Sequence, residues 1–463
     1  MKPPKMTRFR GRGTAQRHLA TRTRRLSCEL LESRLVLATV SWIGGSGDWN
    51  TGANWSNGVG PGTADDAVID VAGNITVTHS SGSHTIQSLT ASDGLSLTGG
   101  TLDITGNMSG SGPYSFAGGT LQHATVTSGT TLTIVNNSVK VLDQVTMNGT
   151  LDGATNTSWV EIRNGMTLGG TINLGNAAGT TVGTFGIQGS APLQGTGTVV
   201  LGGSGLNYFG CRNSGETTTI GPGITVQGMR GQVGSASCSL INQGTIESLP
   251  GVGIDVHFGP GGGTSTGDLK VSGGTMNLLE SWNASDTTLT AGSLNLGGTF
   301  TTTNLGTFTR GAGGTAGTVN VIGTLNGGLS LNDATGTWIL AGGTLSGGTL
   351  SVTAGSASRL RADANNNNSL IGVAINSGLD VESINQGRVT ISSGTTLNQT
   401  LNVGNAAAST YGIFWVQGSA PLQGTGTVVL GGSGLNYFGC RNSGETTTIG
   451  PGITVQGMRG QVG

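Results

Sequence analysis

QGSAPLQGTGTVVLGGSGLNYFGCRNSGETTTIGPGITVQGMRGQVG occupies residues 188–234 and, without a single change, residues 417–463. Inside this block GTGTVVLGG and GPGITVQG follow one plan: a glycine turn, a threonine, then apolar and polar residues in alternation. Alternation at period two marks a half-buried strand. The same plan recurs in GGTLDITG, SGTTLTIV, GGTINLG, NQGTIES, GGTMNLL, AGSLNLGG and AGTVNVIG. In Thr171-Ile172-Asn173-Leu174, Ile172 and Leu174 face one side and Thr171 and Asn173 the other. Threonine, valine and isoleucine suit a pleated surface, and glycines supply positive φ at the corners. Strands this short cannot bury an apolar face alone, but stacked as rungs each covers the next. The expected fold is all-β: a right-handed parallel β-helix, or β-solenoid. At roughly 20 residues and ~4.8 Å per rung, it would form a rod on the order of 100 Å long. A set of β-sandwiches also has many short strands, but it predicts linkers and large aromatic cores, and neither is visible.

The duplication extends beyond its identical core. TINLGNAAGTTVGTFGI (171–187) aligns with TLNVGNAAASTYGIFWV (400–416), VTMNGTLD (145–152) with VAINSGLD (373–380), and FAGGTL (116–121) with LAGGTL (340–345). Four segments follow: a basic leader at 1–38, a Trp-rich N-terminal cap with the first rungs at 39–112, a first solenoid unit at 113–337, and a second, truncated unit at 338–463. Packing cannot demand 47 identical residues, so identity confined to one end of a diverged unit points to recent copying. In the first copy the chain runs on from Gly234 into SASCSLINQGTIES. The second stops at Gly463, which raises the expectation that this sequence is a fragment.

Composition narrows the function classes. Glycine is the commonest residue at 88, 9% of residues are charged, and the net charge is −1. Disorder normally combines low hydrophobicity with high net charge. Collagen needs glycine at every third position with abundant proline, and neither description fits. Residues 1–34 hold ten of the 21 Lys and Arg, leaving 11 basic against 20 acidic residues from Ala38 on. The body is mildly acidic and has no basic stripe for nucleic acid. No apolar run approaches the roughly 20 residues of a membrane span. Of four cysteines, Cys28 lies in the leader, and Cys211 and Cys440 hold the same position in the two copies. Cys211 and Cys440 sit too far apart along a solenoid to meet, since a disulfide needs Cα atoms within about 7 Å. Cys211 with Cys238 is feasible, but free thiols are the expectation for so few cysteines in so long a chain.

Residues 41–70 differ from the rest. SWIGGSGDWNTGANWSNGVGPGTADDAVID packs Trp42, Trp49 and Trp55 together, three of the seven tryptophans. A solenoid end exposes an unpaired edge and its apolar interior, so the tryptophans are expected to cap the first rungs; the alternative is a sugar-stacking platform. The pattern W-x-G-G-x-G-x-W-x-x-x-x-N-W-x-x-G resembles the opening of bacterial autotransporter-type and filamentous-haemagglutinin-like surface repeat proteins. GTFTTTNLGTFTRGAGGTAGTVNVIGTLNGGLSLNDATGTWILAGGTLSGGTL (298–350) is similar to repeats of the same broad group. The segment RRLSCELLESRLVLA (24–38) resembles the LExRxLLA leader of large bacterial cell-surface and secreted proteins, although its apolar run is short for a signal peptide. These resemblances imply a secreted or surface-displayed β-solenoid of adhesin or exopolysaccharide-associated type. Its partners would be cell-surface glycans or matrix polysaccharide. They name no ligand, and the membrane β-barrel that ends an autotransporter is not recognisable here.

No site of chemistry is convincing in the sequence: no catalytic, cofactor-binding or metal-ligating residues are assigned, and no cofactor is expected. Asp65, Asp66 and Asp70 form an acidic cluster, but calcium wants six to eight oxygen ligands, so solvated loop charge is the expectation. His79 and His84 are five apart, with His123 the nearest other histidine. On one strand an odd separation puts them on opposite faces, and zinc would need further ligands, so surface histidines are expected. Many parallel β-helices cleave polysaccharides, which requires two carboxyl groups roughly 5–10 Å apart. Glu161, Asp363, Asp380 and Glu382 are available. Asp380 and Glu382 share a face on a strand, yet aligned Asp152 is followed two residues later by Ala154. The run Asn365–Asn368 reads as a loop insertion. The expected function is a structural or adhesin-like surface solenoid without a catalytic site; a polysaccharide-active lyase or hydrolase, or a carbohydrate-binding module, is the alternative. Three or more charged side chains converging in one groove would favour the alternative.

Overall fold

The computed structural model describes residues 38–463 except 137, 393 and 420. Of the leader at 1–38, residues 1–37 lie outside the described residues. Strand accounts for 52% of the chain, and parallel coils stack into a β-solenoid of about 18 turns. Leu37–Gly463 forms one compact unit. At ~4.8 Å per turn its length is about 90 Å.

The alternation of Thr171–Leu174 appears as expected: Ile172 and Leu174 are buried, and Thr171 and Asn173 half-buried. Each strand pairs in parallel with its counterpart one turn on, so inward residues form continuous columns. One column runs Leu95, Tyr114, Leu132, Leu151, Ile172, Val199, Val226, Ile246, Leu269, Thr287, Phe308. Burying each large aliphatic side chain contributes about 1.5–3 kcal/mol. Turn length is set by the corners. Paired residues are 18 apart at Leu269–Thr287 and 27 apart at Ile172–Val199, while the columns stay in register.

Aromatic stacks repeat with the sequence. Phe185 and Phe209 stack at 5.7 Å, and their counterparts Phe414 and Phe438 at 5.6 Å. At the N-terminal end Trp42, Trp49 and Trp55 are all buried. Trp42 bridges Trp55 in antiparallel fashion, with rings edge-on at 5.0 Å, and Trp49 meets Trp55 at 4.8 Å. The indole N–H of Trp42 donates to Gly45 O and that of Trp55 to Trp49 O, each at 2.9 Å. None of the three presents an open face on which a sugar could stack.

Three expectations need correction. Cys211 and Cys238 form a disulfide, with Cα atoms 6.4 Å apart. Strands here pair at separations of 24 residues (Phe209 with Val233) and 22 residues (Thr218 with Leu240), so two cysteines 27 apart in sequence sit on neighbouring rungs. His79 is fully buried rather than on the surface. It ends the strand Thr76–His79, whereas His84 lies on the next strand, Ser83–Ile86. The corner between them cancels the parity argument, and the two rings meet. Asn368 is not in a loose insertion: it is buried. Its Nδ2 donates to Asp363 O and Oδ1 and to Arg388 O, and its Oδ1 accepts from the Gly342 N–H. One amide thus ties three successive turns.

Asn207 and Asn436 brace other corners in the same way. Each is fully buried, and each accepts a backbone N–H, from Gly183 at 2.9 Å and Gly412 at 3.1 Å. Gly175 shows why glycine is needed beside them: its φ is +68°, and a Cβ there would lie 2.4 Å from Asn207 Oδ1.

Candidate functional site

The outward surface is mostly regular. One outward row runs Gln232, Asp255, Asn277, Asn295, Asn320, Ile339, Arg361, Asp380. Within it the amides form a ladder: Asn277 Nδ2 donates to Asp255 Oδ1 at 2.5 Å, Asn295 to Asn277 at 2.6 Å, and Asn320 to Asn295 at 2.7 Å. All donate in one direction, and the chain ends on a carboxylate, which suits the aligned dipoles.

The row leads into a groove of about 560 Å³. Corner lengths create it. The corner after the strand Thr349–Val352 spans residues 353–359 before Leu360–Ala362 begins, whereas the next turn has only 376–378 between Ala374–Ile375 and Leu379–Asp380. The turn after that has only 398–399 between Thr396–Leu397 and Thr400–Val403. The long corner overhangs the short ones. Arg359, Arg361, Asp380, Glu382, Gln399 and Asn402 line the hollow. A second hollow of about 490 Å³ shares Ala357 and Arg361 with the first and continues along the flank past Arg310 and Asp333.

The charged side chains differ in freedom. Arg361 Nε lies 3.3 Å from Asp380 Oδ2. Asp380 Oδ1 accepts the N–H groups of Glu382 at 3.0 Å and Ser383 at 2.9 Å. Both Asp380 oxygens are therefore occupied, and the carboxylate holds the corner. Arg359 Nη1 donates to Ser358 O at 2.7 Å and Ser356 O at 3.3 Å. Arg310 is tied down by four carbonyls, those of Ala316, Gly317, Thr335 and Thr337, and burial lowers its pKa. Four charged side chains, Arg359, Arg361, Asp380 and Glu382, thus converge in one groove.

The sequence candidates separate accordingly. Asp380 and Glu382 share the groove. Glu161 is far along the chain's stack of turns and buried, held by Arg212 at 2.6 Å and Arg163 at 3.2 Å. Asp363 accepts the Asn365 N–H and the Asn368 amide at a corner. The acidic trio is local: Asp65 accepts the Gly62 N–H, Asp66 accepts Ser88 Oγ, and Asp70 is exposed. His123 links Asp103 and Gln144 at 2.8 Å each, and its bond to the Asp103 carboxylate raises its pKa. Among the described residues, no three His, Cys, Asp or Glu groups gather as a metal site, and no helix is long and apolar enough to cross a membrane. Arg359 and Arg361 are not among the sequence candidates. Their shared parity was readable, but the overhang that encloses them was not.

Fold and groove together define a parallel β-solenoid that carries a charged, concave flank. No protein-family model, no curated protein and no solved structure matches the chain.

Proposed function

We propose that this is a secreted or cell-surface bacterial β-solenoid with a structural, adhesin-like role. The observation that carries the reading is the Cys211–Cys238 disulfide, because disulfides persist in oxidising, extracytoplasmic compartments and are rare in the cytosol. Long polar rows such as Asp255–Asn277–Asn295–Asn320 suit weak contacts repeated at every turn, and such contacts gain strength through multivalency. The partners would be glycans of a cell surface or matrix. Fractionation of producing cells tests it: the chain should be found outside the cytoplasm with Cys211 and Cys238 oxidised, and a reduced cytoplasmic pool would end the proposal.

The groove supports a second reading, a polysaccharide-active enzyme. Hydrolysis by two carboxyl groups is disfavoured by the contacts of Asp380, whose oxygens serve Arg361 and two backbone N–H groups and leave Glu382 alone. New reducing ends or unsaturated products from a polysaccharide panel would promote this reading over the first.

A further inference from the structure

We infer that the groove beneath the 353–359 corner binds a short, neutral oligosaccharide without cleaving it, through Arg359, Arg361, Glu382 and Asn402. The inference rests on the extracellular reading and names the ligand class of one place on the molecule. Three observations carry it.

The first is the pairing left open. Arg361 uses Nε on Asp380 and Arg359 uses Nη1 on two carbonyls, so among the described residues each guanidinium that lines the hollow keeps donors without a partner. Glu382 is half-buried beside them, and among the described residues its carboxylate has no hydrogen-bond or ion-pair partner. Asn402 is exposed on the next turn. Planar donors and acceptors set side by side fit the vicinal hydroxyls of a sugar, each of which both gives and accepts hydrogen bonds.

The second is charge. Arg359 and Arg361 are balanced by Asp380 and Glu382, so the groove offers no net charge to an anion or a cation. A uronate-rich chain would meet Glu382, and a polycation would meet both arginines.

The third is that this chemistry is private to the second unit. Arg361 pairs with Asp380 as Thr133 pairs with Asp152. By the same alignment Thr131 stands for Arg359 and Ala154 for Glu382. Asp152 still accepts the N–H two residues on, at 3.1 Å. The corner carboxylate is thus part of the fold in both units, and Arg359, Arg361 and Glu382 have no charged counterpart in the first.

The test uses the full chain carrying Arg359→Thr, Arg361→Thr and Glu382→Ala together, residues the first unit already accommodates. Calorimetric titration with short neutral glucan, mannan and xylan oligosaccharides should give a saturable heat for the unaltered chain. The triple variant should bind at least about tenfold more weakly while keeping the far-UV spectrum of the folded solenoid. Equal affinity in both proteins, or no binding by any neutral oligosaccharide, overturns the inference. A preference for oligogalacturonate overturns the charge argument, and cleavage of the titrant overturns the binding-only role. A chain found at the cell surface that ignores all these sugars would overturn the groove's assignment and leave the surface reading standing.

Discussion

His79 Nε2 and His84 Nδ1 lie 2.9 Å apart beside the buried Trp49, and the contact fixes both tautomers. His79 Nδ1 faces the Gly99 carbonyl at 2.9 Å, so it carries the proton. Nε2 of His79 is then the acceptor, and His84 Nδ1–H donates to it. A proton added to His79 would set donor against donor. Trp49 packs on both rings, at 5.8 and 6.4 Å, and Asp48 is the nearby charged group, its carboxylate engaged by Ser80 Oγ.

Acid should therefore loosen this end first. Burial lowers the His79 pKa below its ordinary 6.5, so the unfolded chain binds this proton more readily than the folded one. The stabilisation is complete above about pH 6.5 and is lost as pH falls toward the folded pKa. The protection of residues 76–104 against hydrogen exchange, taken relative to the intrinsic rate at each pH, should fall between pH 7.5 and 5 more than that of residues 220–256. His79→Leu should destabilise the end at pH 7.5, because Gly99 O loses its donor, yet flatten the pH dependence. An equal slope in both proteins would contradict the assignment.

The cysteines give a cleaner result. Thiol labelling of the folded, unreduced protein should spare Cys211 and Cys238 and modify half-buried Cys440. Cys211→Ser should cost about 2–4 kcal/mol, read as a lower denaturant midpoint, whereas Cys440→Ser at the equivalent position should cost little.

The buried amides make a third case. Asn207→Ala strands the Gly183 N–H inside the solenoid, and an unsatisfied buried donor costs about 1–3 kcal/mol. Gly175→Ala at φ +68° would drive a methyl into the same amide and should destabilise at least as much. Full stability in either variant, judged by urea melts, would show that the corner does not depend on this brace.

What could be read in the sequence follows from the range of each interaction. Strand parity is local, so Thr171–Leu174 is enough to place Ile172 and Leu174 inside. The cross-turn partners are different. Arg361 meets Asp380 and Cys211 meets Cys238 only once the residues per turn are known, and that number varies with every corner. His79 and His84 misled for the same reason, since a short corner between two strands resets parity. Asn368 was hidden by composition: in a run of asparagines nothing marks the one whose side chain turns inward. The groove was the least visible feature, because it is made by a difference in length between corners on successive turns rather than by any motif.

Thr287 offers a prediction in the opposite direction. It stands between Leu269 and Phe308 in the apolar column and is fully buried, and among the described residues its Oγ1 has no hydrogen-bond partner. The hydroxyl left water without gaining a bond, a loss of about 1–3 kcal/mol. Valine has nearly the same shape and loses nothing on burial. Thr287→Val should therefore stabilise the chain by about 1 kcal/mol or more, seen as a higher urea midpoint with an unchanged slope. The outward, half-buried Thr288 next to it serves as the control, since Thr288→Val leaves the column untouched and should change the midpoint little. A destabilised Thr287→Val protein would mean that the hydroxyl has a partner after all, such as a water enclosed between the turns.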